Sequence, residues 1–220
     1  MTIRAVLFDL DGTLVDSLED LTDAVNHMRG TFLLPPQTSN EVRMMVGKGA
    51  GSLVRKSLAG RSEDDVKLGL QLFFDYNAAH IADKSRLYLD ALNMLDSLQA
   101  IGIRMAVITN KNESLSNLLL KELGIHHYFE TICGGNTFAE MKPSPLPLLN
   151  VITRLEVAPH EALMVGDSIN DIEAGRQAGI ATIGCSWGFA DSPELDGSDY
   201  MANSCNDLFA TIKGLIVKTA

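Results

Sequence analysis

Short apolar runs punctuate the chain, and each stops abruptly in a polar loop. Ala5-Val6-Leu7-Phe8, Ile103 to Ile108, Thr131-Ile132-Cys133, Ala162-Leu163-Met164-Val165 and Ile180 to Cys185 are too short for helices. Each is followed within two residues by Gly, Asp, Asn or Ser, so they are read as buried strands. Between them the apolar spacing lengthens to the helical three and four residues. Helices are expected from Asp90 to Ile101, closed by Gly102, and from Asn112 to Leu123, closed by Gly124. Lys142-Pro143-Ser144-Pro145 opens another, with Ser144 as N-cap and Pro145 at its first position. One more ends at Ala178-Gly179, and a short strand at Tyr200-Met201 precedes a closing helix from about Asn206 to Ile216, capped by Ser204. Strand–helix alternation with solidly apolar strands predicts an α/β fold, a Rossmann-like parallel sheet covered by helices on both faces.

One stretch breaks the alternation. From Val15 to about Lys84 only helical spacing is found. Ser17-Leu18-Glu19-Asp20 reads as a capping box for a helix carrying Leu18, Leu21, Val25 and Met28, ended by Gly30 and Pro35-Pro36. Thr38 to Glu41 caps a second helix that stops at Gly47-Lys48-Gly49-Ala50-Gly51. A third runs from Ser52 to Ala59 and a fourth from about Ser62 to about Ala82. A purely helical block between two strands predicts an inserted subdomain, residues 15–84, in a core domain of residues 1–14 and 85–220. The glycine loop neither follows a strand nor matches G-x-G-x-x-G, so dinucleotide binding is not expected. Two readings of it stay open: a helix–helix connection, or a loop whose N–H groups and Lys48, with Arg55 a turn further on, reach an anion held by the core.

Composition narrows the function. With 46% hydrophobic and 21% charged residues in 220, a substantial core is available and disorder is not expected. The net charge of −10 argues against nucleic acid and anionic membrane as partners. An anionic substrate would then depend on local cations, because charges beyond roughly 8 Å are screened at physiological salt. Cys133, Cys185 and Cys205 form no Cys-x-x-Cys pair and fit buried thiols in a reducing cytosol. No leader-like segment precedes the first strand, and no apolar run approaches the roughly 20 residues of a membrane span. A soluble, cytoplasmic protein is expected, as a monomer or homodimer.

The chemistry concentrates where strands end. Asp9-Leu10-Asp11-Gly12-Thr13-Leu14 follows the first strand, Thr109-Asn110 follows a second, and Gly166-Asp167-Ser168-Ile169-Asn170-Asp171 a third. Ligands of open α/β sheets bind beyond the carboxyl ends of the strands, so parallel neighbours would bring all three loops into one crevice. Four carboxylates there would repel, a pair at 4 Å by about 4 kcal/mol at an effective dielectric of 20. A compensating cation is needed, and all-oxygen ligands without nearby His or Cys fit Mg2+. Lys142 is a candidate second cation.

Together, Asp9-x-Asp11-Gly12-Thr13, Thr109-Asn110, Lys142-Pro143 and Gly166-Asp167-Ser168-x-x-Asp171 resemble the motifs of the haloacid dehalogenase superfamily of phosphohydrolases, in order and spacing from Val6 to about Gly188. The helical block is similar to that superfamily's inserted cap. Val46 to Ala50, Val107 to Lys111 and Met164 to Ser168 are most similar to the phosphoglycolate phosphatase group. Two departures stand out: Leu87-Tyr88-Leu89-Asp90 lacks the usual Pro-Gly, and Gly134-Gly135-Asn136 has Asn where the group commonly has Asp. The resemblance implies a Mg2+-dependent phosphatase for a small phosphorylated metabolite, with 2-phosphoglycolate as the expected substrate, working through an aspartyl-phosphate. Asp9 would be the nucleophile and Asp11 the general acid and base. The metal would be held by Asp9, the Asp11 carbonyl and Asp167, with Asp171 nearby. Thr109, Asn110 and Lys142 would bind phosphoryl oxygens, and Lys48 or Arg55 the substrate's carboxylate.

Two other functions share these residues: a capped phosphomutase of the β-phosphoglucomutase kind, and a catalytically silent binding module. Retention of Asp9, Asp11 and Lys142 speaks against the silent module. A serine hydrolase is excluded: Gly184-Cys185-Ser186-Trp187-Gly188 matches G-x-S-x-G, but no histidine follows Ser186. The five histidines show no metal-ligand spacing and are read as surface or structural.

Overall fold

The computed structural model describes residues 3–189 and 195–217. Its centre is a six-stranded parallel sheet of β1 (Ala5–Phe8), β4 (Arg104–Ile108), β5 (Thr131–Cys133), β6 (Ala162–Gly166), β7 (Ala181–Cys185) and β8 (Tyr200–Ala202), in the order β5-β4-β1-β6-β7-β8. This is the expected α/β architecture. Every residue of β1 is buried because its alternating side chains enter different cores. Val6 and Phe8 face a cluster with Leu95, Leu119 and Leu208, from α5 (Ala91–Ala100), α6 (Glu113–Glu122) and α9 (Cys205–Val217). Ala5 and Leu7 face Leu148, Val151 and Ala174, from α7 (Leu146–Arg154) and α8 (Ile169–Ala178).

The chain leaves the core through β2 (Val15–Asp16) and returns through β3 (Arg86–Leu87), which pair antiparallel; this two-residue ribbon has no hydrophobic signature and escapes sequence reading. Between them lie α1 (Leu18–Thr31), α2 (Ser39–Arg43), α3 (Gly49–Ser57) and α4 (Glu63–Ala79). They pack around their own apolar cluster, including Val25, Met28, Val54 and Phe73. Asp20, buried on α1, accepts from the N–H groups of Lys84 and Ser85 and from the Ser85 hydroxyl, tying the block's first helix to its return segment.

Several local expectations shift. The Ser17 side chain caps nothing: its hydroxyl donates instead to Asp11. Helix α3 starts at Gly49, not Ser52, so the glycine loop is largely the first turn of that helix. Helix α4 ends at Ala79, and α7 begins at Leu146, its N–H bonded to the Ser144 hydroxyl. Asn136, one of the two departures, accepts from the Glu113 N–H at the start of α6, a bond that needs only its oxygen. Asp90, the other, adopts φ 63°, a left-handed conformation better suited to the missing glycine. No described helix is long and apolar enough to cross a membrane.

Candidate functional site

The order of the sheet changes direction at β1, whose neighbours β4 and β6 lie on either side, and the loops after these three strands converge. Asp9 follows β1, Thr109 follows β4 and Asp167 follows β6. All three line one cavity of about 370 Å3 between the sheet end and the helical block, a size ordinary for small-molecule sites.

Lys142, buried, lies at the base. Its Nζ donates to Asp9 Oδ1 at 2.7 Å and to Asp171 Oδ1 at 2.6 Å. Burial works against its charge, but Asp171 and Asp9 hold its pKa above the ordinary lysine value. Asp171 is fully buried in the first turn of α8, where its Oδ2 accepts from the N–H and hydroxyl of Ser168. It thus caps a helix and faces the lysine at once.

Asp167 is bonded by the Thr13 hydroxyl at 3.2 Å and the Phe189 N–H at 2.6 Å. Its carboxylate lies in a notch that glycine alone permits, since a Cβ on Gly12 or Gly188 would overlap it. Burial, then the charges of Asp9 and Asp171, push its pKa up to about 8. Asp9 is raised to about 6, again chiefly by burial and partly offset by Lys142. Oxygens of Asp9, Asp167 and Asp171 lie within 4.8 Å of one another. Three crowded carboxylates served by one lysine are short of positive charge, and their all-oxygen donor set fits a hard divalent cation. Metal binding is typical of the family that this arrangement resembles.

Asp11 stands apart from that trio. Lys111 Nζ contacts both its oxygens at 3.2 Å, and the Ser17 hydroxyl donates to Oδ1 at 2.5 Å. Neither partner was singled out from sequence for a role at the site. Lys111 directly follows Thr109-Asn110, and that position was its one signal. The Thr109 hydroxyl accepts from the Lys111 N–H, which leaves its own hydrogen for a ligand.

The remaining candidates divide. Asn110 lines the cavity, but its NH2 is committed to the carbonyls of Gly47 and Lys142, so this side chain joins the glycine loop to the lysine loop and has no donor left for phosphate. Lys48 lines the cavity at the N-cap of α3. Arg55, expected at the substrate from the sequence, does not: it is exposed and paired with Glu63, with one N···O distance of 2.9 Å, so the structure does not bring it together with the other candidates. The helical block contributes Arg43, Lys56 and Asn77 instead, none flagged by the sequence; Arg43 also donates to the carbonyl of Phe189, another residue of the lining. Ser186 donates to Asn203 on the exposed side of β7, while Trp187 Nε1 donates to the Thr13 carbonyl, so the G-x-S-x-G segment forms a turn beside the site.

Comparisons with known proteins agree with this geometry. The model of the haloacid dehalogenase-like hydrolase family matches residues 6–185. A phosphoglycolate phosphatase from Chromobacterium violaceum is 41% identical over 216 residues, covering 96% of this chain and 97% of the relative. Phosphoglycolate phosphatase 1 of Pseudomonas aeruginosa is 40% identical over 193 residues, 84% of this chain and 70% of its own. A crystal structure described as a predicted phosphoglycolate phosphatase from Haemophilus somnus 129pt superposes with a TM-score of 0.92 at 31% identity, covering 96% of this chain and 98% of the other.

Proposed function

The chain belongs to the haloacid dehalogenase-like hydrolase family and is a phosphoric monoester hydrolase, and from that premise we propose that its substrate is 2-phosphoglycolate, hydrolysed through an aspartyl-phosphate on Asp9. The observation that carries the proposal is the charge of the cavity. Among the described residues, five cations (Arg43, Lys48, Lys56, Lys111 and Lys142) line it against three acids, Asp9, Asp11 and Asp167, although the whole chain carries −10. A small trianion with phosphate at one end and carboxylate at the other suits that lining.

In this reading the phosphoryl group sits above Asp9, at the end of β1. With its pKa near 6, Asp9 is mostly ionised at neutral pH and needs no base to act as nucleophile. Its oxygen bonds to phosphorus as the bond to the glycolate oxygen breaks, and Asp11 gives the leaving oxygen a proton. Asp11 then takes a proton from water, whose oxygen attacks phosphorus and releases phosphate from Asp9. Lys111 and Ser17 hold Asp11 in place through both exchanges. The Thr109 hydroxyl and the Lys142 ammonium stabilise the phosphoryl oxygens. Asp9, Asp167 and the Asp11 carbonyl would hold Mg2+, with Asp171 behind Lys142; when bound, the ion offsets charge on the phosphoryl group. Residues 15–84 act as a cap that excludes water, and Lys48 reads the carboxylate.

Phosphate release from 2-phosphoglycolate in the presence of Mg2+ tests the proposal. Wild type should turn it over with higher kcat/KM than p-nitrophenyl phosphate, and Asp9→Asn should lose essentially all activity on both. Preference for the aryl ester would refute the substrate. Activity surviving in Asp9→Asn would refute the nucleophile.

A further inference from the structure

Asn77, on α4, is shut away from bulk solvent with 2% of its surface exposed, yet it lines the cavity. Its Oδ1 is buried and finds no hydrogen-bond partner among the described residues. A buried amide oxygen without a partner is destabilising, so its presence amid Leu21, Leu53 and Phe73, which line the same wall, calls for a reason. With the oxygen enclosed, the amide nitrogen is the end of the side chain that can reach the cavity, and it is a donor only.

The acids and phosphoryl-binding groups of the site all come from the sheet end, whereas Asn77 belongs to the opposite wall. The structure therefore assigns Asn77 a role no motif carries: we propose that it determines specificity by donating a hydrogen bond to the substrate's carboxylate, the end remote from phosphorus. The inference rests on the phosphoglycolate reading and adds to it a neutral donor beside the cationic Lys48. A fixed amide hydrogen bond selects by geometry, which a flexible ammonium does not.

The test compares 2-phosphoglycolate with ethyl phosphate, an ester of similar size that lacks the carboxylate. Asn77→Ala should lose about 10- to 100-fold in kcat/KM on 2-phosphoglycolate, the range for a hydrogen bond to a charged group, with most of the loss in KM. On ethyl phosphate it should stay within about twofold of wild type. Asn77→Asp keeps the shape but places a negative charge where the donor was, and should lose more than Asn77→Ala on 2-phosphoglycolate alone. An unchanged activity on ethyl phosphate also reports that each variant is folded. Equal losses on both esters, or none on 2-phosphoglycolate, would overturn the role of Asn77 while leaving the substrate assignment standing. A wild type indifferent between the two esters would overturn that assignment, and this inference with it.

Discussion

Replacing Lys142 by Met keeps most of the side chain's volume and removes the charge between Asp9 and Asp171. The structure sets the expected cost. Oxygens of Asp9, Asp167 and Asp171 lie within 4.8 Å of one another, and two full charges at that distance repel by about 3.5 kcal/mol at an effective dielectric near 20. Breaking a buried ion pair by removing one partner typically costs about 3–5 kcal/mol, and that is the loss expected here for the metal-free protein at pH 8. The sign of the pH dependence follows from the folded pKa values. Asp9, at about 6, and Asp167, at about 8, bind their protons more tightly than the ordinary carboxylate at 3.8. Their destabilising effect is therefore absent below about pH 4 and grows as pH rises through 6 and then 8. Without Lys142 the pKa of Asp9 climbs further, so the variant recovers stability on acidification by taking up protons. Urea unfolding followed by circular dichroism in EDTA, at pH 8 and pH 5.5, measures the difference. A loss of about 3 kcal/mol or more at pH 8 that shrinks clearly at pH 5.5 is expected. A loss under about 1 kcal/mol at pH 8, or one that does not change with pH, would refute the view that the lysine offsets a crowded acid cluster.

The same protons oppose the proposed Mg2+. Because Asp167 must shed a proton held up to about pH 8, the rise in Tm produced by a fixed Mg2+ concentration should be larger at pH 8.5 than at pH 6; a pH-independent rise would exclude Asp167 as ligand. Gly188→Ala places a Cβ against Asp167 and should weaken Mg2+ activation at least tenfold with a smaller effect on the unfolding midpoint in EDTA, read by metal titration of activity. Lys111→Met should lower kcat by roughly tenfold, less than the 10²- to 10⁴-fold attributable to general acid–base catalysis as a whole, with Tm nearly unchanged. A kcat equal to wild type would remove Lys111 from the machinery that positions Asp11.

What could be read from the sequence, and what could not, separates along physical lines. Asp9, Thr109 and Asp167 were legible because an apolar strand ending in a polar loop is a local pattern, and parallel neighbours must bring such ends together. Lys142 carried the weaker signal of a lysine before Pro143, in the loop that leads into α7. Lys111 was invisible as a partner because the acid it grips lies 100 positions away. Ser17 misled for a related reason. Locally it is a good N-cap, but in the fold a carboxylate competes for its hydroxyl, and a charge-assisted bond outweighs one to a helix N–H. Arg55 sits on a helix whose phase, fixed by a start at Gly49, directs it outward to Glu63. Asn77 offered no signal at all, since an unpartnered amide is defined by surroundings drawn from several helices.

The distribution of charge around the cavity ties the helical block to the chemistry. Among the described residues, the acids Asp9, Asp11 and Asp167 line the cavity from the sheet side together with the cations Lys111 and Lys142; Arg43, Lys48 and Lys56 are supplied by the block. With the block away, an anionic ester would meet three acids and two lysines, both already paired to acids. With the block in place the balance inverts, and the Gly47 carbonyl accepts from Asn110 while Arg43 donates to the Phe189 carbonyl to hold it there. If the block acts as the proposed cap, the cations that attract the substrate are brought by the element that encloses it. Breaking either contact should raise KM through a lower population of the enclosed state rather than through loss of a catalytic group. Asn110→Ala, which removes the bond to Gly47 along with one to the Lys142 loop, and a variant of Arg43 should therefore behave alike in KM if enclosure is their shared function. They should differ in kcat, because only Asn110 also touches the loop that carries Lys142.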